Sequence, residues 1–184
     1  MTEISLNILD VAQNSVRANA TLIIIKVEAD TKKDRLTVII EDNGCGMSPE
    51  QVENVVDPFF TTRTTRKVGL GVSFFKLAAE STDGSFEITS KVGEGTIVIA
   101  VFGLSHIDRM PLGDMTGTIH MLITMNTGID FIYNYKIDDE EFTLDTKSFR
   151  EILGDVPLNA PEVSTYLKEF LEENKNEVEK GITL

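Results

Sequence analysis

Glu41-Asp42-Asn43-Gly44-Cys45-Gly46-Met47 decides how this chain is read, because of what surrounds it in fixed order. Upstream, Asp10-Val11-Ala12-Gln13-Asn14-Ser15 lies in a helical pattern. Downstream come Asp57-Pro58-Phe59-Phe60-Thr61-Thr62-Arg63, then Gly69-Leu70-Gly71, then Gly93-Glu94-Gly95-Thr96. Asp-x-Gly-x-Gly by itself is a common turn composition. Its weight comes from the company it keeps.

Each piece has a local physical reading. Over residues 5–20, Leu6, Leu9, Val16 and Ala20 recur at helical spacing, with Asp10 and Asn14 one turn apart on a neighbouring face. A carboxylate and an amide so placed can address one small object; taken alone, they equally suit a solvated helix face. Residues 21–29 and 35–42 are β-rich runs across the polar turn 30–34, which predicts adjacent antiparallel strands. Asp42 ends the second, and Gly44 and Gly46 allow a tight turn and close approach to a flat ligand. An ordinary strand-ending turn is the alternative for Asn43-Gly44 alone. Ser48, Pro49 and Gln51 predict a capped helix start.

The stretch from Thr61 to Val68 carries Arg63, Arg66 and Lys67 and little that suits a core, so it offers charge-assisted contacts to phosphate oxygens. A solvated loop with stray charges is the alternative. Gly69-Leu70-Gly71 leads into the helical pattern Val72, Phe75, Leu77, Ala78 and Ala79, whose first N–H groups face an anion favourably. No Gly-Lys-Ser/Thr follows, so this is not a P-loop. Residues 85–90 and 95–102 predict a hairpin across Gly93-Glu94-Gly95.

In this order, over roughly residues 3–102, these motifs resemble the ATP-binding domain shared by DNA gyrase, heat-shock chaperones, histidine kinases and MutL (the GHKL superfamily). The resemblance implies an α+β fold: a two-layer sandwich of a mixed sheet with helices on one face, ATP lying between helices and lid. It implies ATP and Mg²⁺ as cofactors, with Asn14 the Mg²⁺ ligand and Asp10 orienting or deprotonating the attacking group. Asp42 would accept from the adenine amino group, and Thr96 would hold the adenine end through its hydroxyl and a water. Further ATP contacts carry over to Ala18, Gly44, Gly46, Met47, Phe59, Thr62, Arg63, Arg66, Lys67, Gly69, Leu70, Gly71 and Val72. Phe59-Phe60 would hinge a lid over residues 61–68 that closes on the terminal phosphate.

Three departures bear on mechanism. Asp10 stands where most ATP-hydrolysing relatives carry Glu, and is one methylene shorter; geometry decides whether a general base works. Arg17 replaces a residue that is often acidic, and Lys67 replaces the usual glycine before Gly69-Leu70-Gly71. The segment Leu104 to Met115 also resembles stand-alone ATP-binding proteins of anaerobic bacteria, associated with iron-hydrogenase clusters.

Composition bounds the partners. The 184-residue chain is 41% hydrophobic and 26% charged, as a soluble globular protein would be. No apolar run reaches the ~20 residues that span a bilayer. No basic-then-apolar leader opens it, and its single cysteine, Cys45, suits a reducing compartment, so a cytoplasmic location is expected. Cys45 lies between two glycines with no second ligand at metal spacing, which favours a packing or neutral role over that of nucleophile or metal ligand. The net charge of −13 is uneven: residues 1–102 hold 14 acids and 10 bases, residues 103–184 hold 16 and 7. So acidic a carboxy-terminal part would repel phosphate backbones, so no nucleic-acid partner is expected, and the lack of a spanning run argues against a membrane.

After a boundary near Phe102 to Pro111, residues 104–184 predict a second, small α+β unit. It comprises a Met-rich helix over 112–126, broken or not at Gly117, a strand over 129–137, a partner strand through Phe142 and Leu144, a helix over 146–154 capped by Asp145, and a final amphipathic helix from Pro161. The stripe Val163, Tyr166, Leu167, Phe170 and Leu171 reads as core, or as a partner groove. His106 and His120 read as surface or packing residues, and about five residues precede the first helix, so a complete sensor kinase is not expected. The expected function is a Mg-ATP-dependent regulatory switch with slow ATPase activity and an unidentified protein partner. The alternatives are a serine/threonine protein kinase of the anti-sigma-factor type and a non-catalytic ATP-gated binding module.

Overall fold

Strict alternation in Leu22–Asp30 (β1) and Arg35–Asp42 (β2) puts Ile23, Ile25, Val27, Ala29, Leu36, Val38 and Ile40 on one side, where all are buried. Period-two side chains on a pleated strand leave such a ladder one apolar face to cover. The computed structural model describes residues 3–57, 70–182 and 184. Around the β1–β2 hairpin it places helices Ile4–Arg17 (α1), Pro49–Val56 (α2) and Gly71–Glu80 (α3), then strands Ser85–Lys91 (β3) and Gly95–Gly103 (β4). Helix Met115–Met125 (α4), strands Asp130–Ile137 (β5) and Glu140–Asp145 (β6), and helices Thr146–Leu153 (α5) and Pro161–Glu179 (α6) follow.

The strands form one sheet in the order β3-β4-β2-β1-β5-β6, parallel only between β1 and β5. Helices α1, α3, α4 and α6 pack on its apolar face, giving the mixed-sheet α+β fold that the resemblance implies. Because β4 and β5 run the same way, they need a crossover, and α4 supplies it. The elements after residue 103 thus extend the sheet begun by the first half. Side chains bind the two parts as well: Asp138, in the β5–β6 turn, accepts from Thr31 N at 2.8 Å and Thr31 Oγ1 at 2.7 Å. Those bonds, the hydroxyl's first, hold its carboxyl below the usual range. Asp34 similarly accepts from Ser105 N and Oγ, both at 2.9 Å.

Helix α1 has no side-chain N-cap. Its first N–H groups, on Ile4 and Ser5, donate instead to Pro111 O and Leu112 O at 3.0 and 2.8 Å. Orphan donors at a helix start must find partners, and here the connecting segment supplies them. The core face of α1 differs from the expected stripe. Ile4, Ile8, Val11 and Ala12 are buried, whereas Leu6 is 39% exposed and Leu9 and Val16 are only partly covered. Both sets sit at helical spacing, and the sheet beneath selects one. Likewise Val72, Phe75 and Ala79 of α3 are buried while Leu77 is 62% exposed.

Other local expectations hold in detail. Ser48 accepts from Gln51 N and Gln51 returns the bond to Ser48 N, a complete capping box. Helix α4 is unbroken and starts at Met115, because Asp114 caps it by accepting from Gly117 N at 2.8 Å. Asp145 caps α5 through Lys147 N. His120 is a packing residue, its Nε2 2.8 Å from Ser164 Oγ of α6, and His106 sits near Asp83 at the surface. No helix among the described residues is long and apolar enough to cross a membrane.

Two tyrosines on β5 carry their polar ends into the core. Tyr135 OH donates to Glu179 at 2.8 Å, and burial with that acceptor raises its pKa far above the ordinary phenol value; burial does the same to Tyr133. Asn7 of α1 is also buried, and neither its amide nitrogen nor its oxygen has a hydrogen-bond partner among the described residues. An unmade buried hydrogen bond costs about 1–3 kcal/mol, whereas an apolar group of like shape does not incur it. Asn7→Leu should therefore stabilise the fold by about 1–2 kcal/mol, visible in calorimetry as a Tm higher by roughly 2–6 °C. An unchanged or lower Tm would show the amide to be satisfied in solution.

Candidate functional site

Asp42 closes β2 and is nearly buried, so its carboxylate needs partners. It finds them locally and across the fold. Oδ1 accepts from Gly44 N at 2.8 Å, the bond of a short Asx-type turn. Oδ2 accepts from Ser15 Oγ of α1 at 2.5 Å. Each carboxylate oxygen retains further lone-pair capacity for a ligand donor.

The turn that follows is built on close approaches. A Cβ on Gly44 would lie 2.8 Å from Ala18 Cβ and O, and Cys45 N donates to Ala18 O at 2.9 Å. Gly46 has a φ of +65°, and a Cβ there would lie 1.9 Å from Lys91 O at the end of β3. Gly95 would strike Asp42 O at the same distance. Asn43 ties the turn to the α1–β1 connection, accepting from Thr21 N at 2.8 Å and Leu22 N at 2.9 Å and donating to Thr21 Oγ1.

Beside this turn lies a cavity of about 280 Å³. Its polar wall comprises Asn14, Ser15 and Arg17 of α1 with Asp42, Gln51 and Thr96. Ala18, Cys45, Gly46 and Met47 run along it, and Val11, Ile40, Val55, Val72, Ile88 and Val98 form the apolar wall. Larger hollows exist elsewhere on the surface, but this one gathers the sequence motifs. It is an apolar slot with a few convergent polar groups, the usual make-up of a small-molecule site. Thr96 pairs with Asp42 across β2 and β4, and its hydroxyl is 2.8 Å from Ser90 Oγ, which also receives Met47 N at 2.8 Å. Asn14 Oδ1 accepts from Arg17 Nη1 at 3.1 Å.

Of the sequence-predicted residues, Asn14, Ala18, Asp42, Gly46, Met47, Val72 and Thr96 meet at this cavity, with Gly44 in its supporting turn. Asp10 is exposed and stands outside the lining, packed against the start of α3: a Cβ on Gly71 would come within 2.7 Å of Asp10 Cβ. Leu70 caps α3 and is partly exposed. Phe59, Thr62, Arg63, Arg66, Lys67 and Gly69, with the expected lid, lie outside the described residues. Ser15, Ser90 and the apolar wall other than Val72 are not among the expected site residues. Ser15 sits beside Asn14 in the motif, but its role depends on a partner 27 residues away.

The family of histidine kinase-, DNA gyrase B- and HSP90-like ATPases matches residues 2–106. The chain belongs to this family. Among curated relatives, a sensor-type protein of Shewanella frigidimarina is 31% identical over 103 residues, covering 55% of this chain and 16% of its own. The sensor histidine kinase ZraS of Salmonella typhi is 28% identical over 97 residues, covering 53% and 20%. The sensor protein DegM of a Bacillus species is 29% identical over 92 residues, covering 50% and 24%. The chain thus spans a quarter or less of the length of these relatives. A solved N-terminal domain of a DNA repair protein superposes on 79% of this chain and 52% of its own, at 14% identity and a TM-score of 0.49. Family membership makes this an ATP-binding type of domain, and the cavity beside Asp42 gathers Asn14, Ala18, Gly46, Met47, Val72 and Thr96 around that carboxylate.

Glycines 46 and 93 both have positive φ, but nothing approaches within 4 Å of a Cβ built on Gly93. Gly93→Ala should therefore cost only the backbone penalty, about 1 kcal/mol, while Gly46→Ala should cost at least about 2 kcal/mol more, because Lys91 must move. Urea unfolding of the two variants tests this; equal costs would mean that the β3 end yields freely.

Proposed function

We propose that this chain binds Mg-ATP in the cavity beside Asp42 and acts as a nucleotide-dependent regulatory switch with slow ATPase activity. The observation that carries the reading is the Asp42 carboxylate, held by Ser15 and Gly44 at the wall of an apolar slot, with Thr96 opposite it in register. A fixed acceptor in such a slot suits the exocyclic amine of adenine and disfavours guanine, which presents a carbonyl there.

Asn14 fits Mg²⁺ chemically. Its carboxamide oxygen is a hard donor with a lone pair beyond the one given to Arg17. Among the described residues no group of three or more His, Cys, Asp or Glu is placed to hold a metal. One protein oxygen, completed by phosphate oxygens and water, is the coordination these side chains offer. When bound, Mg²⁺ neutralises charge on the phosphates. The first N–H groups of α3 supply further anion contacts, and the basic strip Arg63, Arg66 and Lys67 is read as the γ-phosphate sensor. A protein partner reads the nucleotide state, and a cytoplasmic setting agrees with the single cysteine.

Asp10 is the proposed base, and its placement also favours a second reading. It is exposed, packed on Gly71 and outside the cavity lining, as expected of an ATP-gated binding module that does not hydrolyse. Transfer of radiolabel from ATP to a co-purified protein would instead identify a protein kinase of the anti-sigma-factor type.

In calorimetry ATP should bind and GTP should bind poorly, and Asp42→Asn should weaken ATP by roughly ten- to hundredfold, or about 1.5–3 kcal/mol. Equal affinities for ATP and GTP would sink the assignment of Asp42. Asp10→Asn should bind ATP as the parent does but release no phosphate, since it keeps shape and removes basicity. Turnover at the parental rate would remove Asp10 from the chemistry.

A further inference from the structure

Outside the family match, α5 and α6 enclose a second apolar feature. Phe149, Ile152 and Leu153 of α5 face Val163, Tyr166 and Phe170 of α6 across an open groove of about 480 Å³. Its floor is aromatic: Phe149 meets Phe170 edge-on at 5.4 Å and lies 6.3 Å from Tyr166. Its walls reach solvent, with Ile152 86% and Tyr166 57% exposed. The amphipathic stripe of α6 is therefore split. Val163, Leu167 and Leu171 complete the core, whereas Tyr166 and part of Phe170 do not. Contiguous exposed apolar surface of this kind marks a binding surface.

Charge decides what fits it. Glu162, Glu169 and Glu173 flank Tyr166 and Phe170 at helical spacing, all exposed, and none makes an ion pair among the described residues. At 3.6 residues per turn, Lys168 points to the opposite side of α6. A second copy of this chain would set acid against acid, and anionic lipid would be repelled in the same way. From Glu162 to Phe170 the groove runs along α6 for roughly 12 Å, about two turns of a partner helix.

We propose that the α5–α6 groove receives a basic amphipathic helix of a partner protein. Large apolar side chains at i and i+3 or i+4 seat on Phe149, Tyr166 and Phe170, and flanking Lys or Arg residues face Glu162, Glu169 and Glu173. The groove stands apart from the nucleotide cavity, and its assignment is independent of the ATP reading.

The test uses the full chain and two synthetic helical peptides of about 18 residues. Both carry one Leu/Phe stripe; one has Lys on its flanks and the other Glu at the same positions. In fluorescence anisotropy the Lys peptide should bind at least about tenfold tighter than its Glu twin. Ile152→Asp and Glu169→Lys, both at exposed positions and checked for folding by circular dichroism, should each weaken it about fivefold or more. Added salt should weaken it further. Equal binding of the twins, binding by neither, or Lys-peptide binding unmoved by Ile152→Asp would overturn the proposal. So would a dimer in sedimentation that Ile152→Asp dissolves, or binding of anionic phosphatidylserine vesicles that Ile152→Asp abolishes.

Discussion

The arrangement around Asp42 depends on backbone approaching backbone more closely than a side chain allows. The carbonyl of Asp42 touches Gly95, the carbonyl of Lys91 touches Gly46, and Ala18 touches Gly44. Three parts of the chain, the end of α1, the turn after β2 and the β3–β4 hairpin, therefore meet within van der Waals distance. That compression puts Ser15 Oγ against the Asp42 carboxylate and aligns Thr96 with it across the sheet. A Cβ at Gly44, Gly46 or Gly95 would force the segments apart and open the slot. The glycines of the motif serve contact as well as turning.

The same logic of mutual support extends to the whole sheet. β1 sits third from one end, hydrogen-bonded to β2 on one side and to β5 on the other. The parallel β1–β5 pairing requires a crossover, so α4 is laid over the apolar face beside α1. The segment leading into α4 then satisfies the free N–H groups at the start of α1. Since α1 carries Asn14, Ser15 and Arg17, the second half of the chain helps to hold the helix that lines the cavity. Truncation near residue 103 would expose the edge of β1 and leave α1 without its first hydrogen-bond partners.

Charge follows this architecture. Acids that make tertiary hydrogen bonds, such as Asp138 with Thr31 and Glu179 with Tyr135, tie elements together, while those on the outer face of α6 stay in water. The strong acidity of residues 103–184 is thus in part structural and in part a surface property of one helix. The apolar groove beside that helix gives its acids a directional meaning that net charge alone does not convey.

Much of this was legible in residue order. Strand alternation in 22–30 and 35–42, the capping box at Ser48 and Gln51, the Asp145 cap and the turn glycines are local features, and local physics determines them. The motif order also identified the ATP-binding family, because the spacing of Asn14, Asp42, Gly71 and Thr96 is carried by the chain itself. Residue order did not say which stripe of α1 faces inward, since two apolar stripes share helical spacing and only the sheet beneath chooses. Nor could it place Ser15 on Asp42, β5 beside β1, or Ile152 and Tyr166 in water. Those depend on contacts between residues distant in sequence, and a single chain's periodicity carries no signal about its partners across the fold.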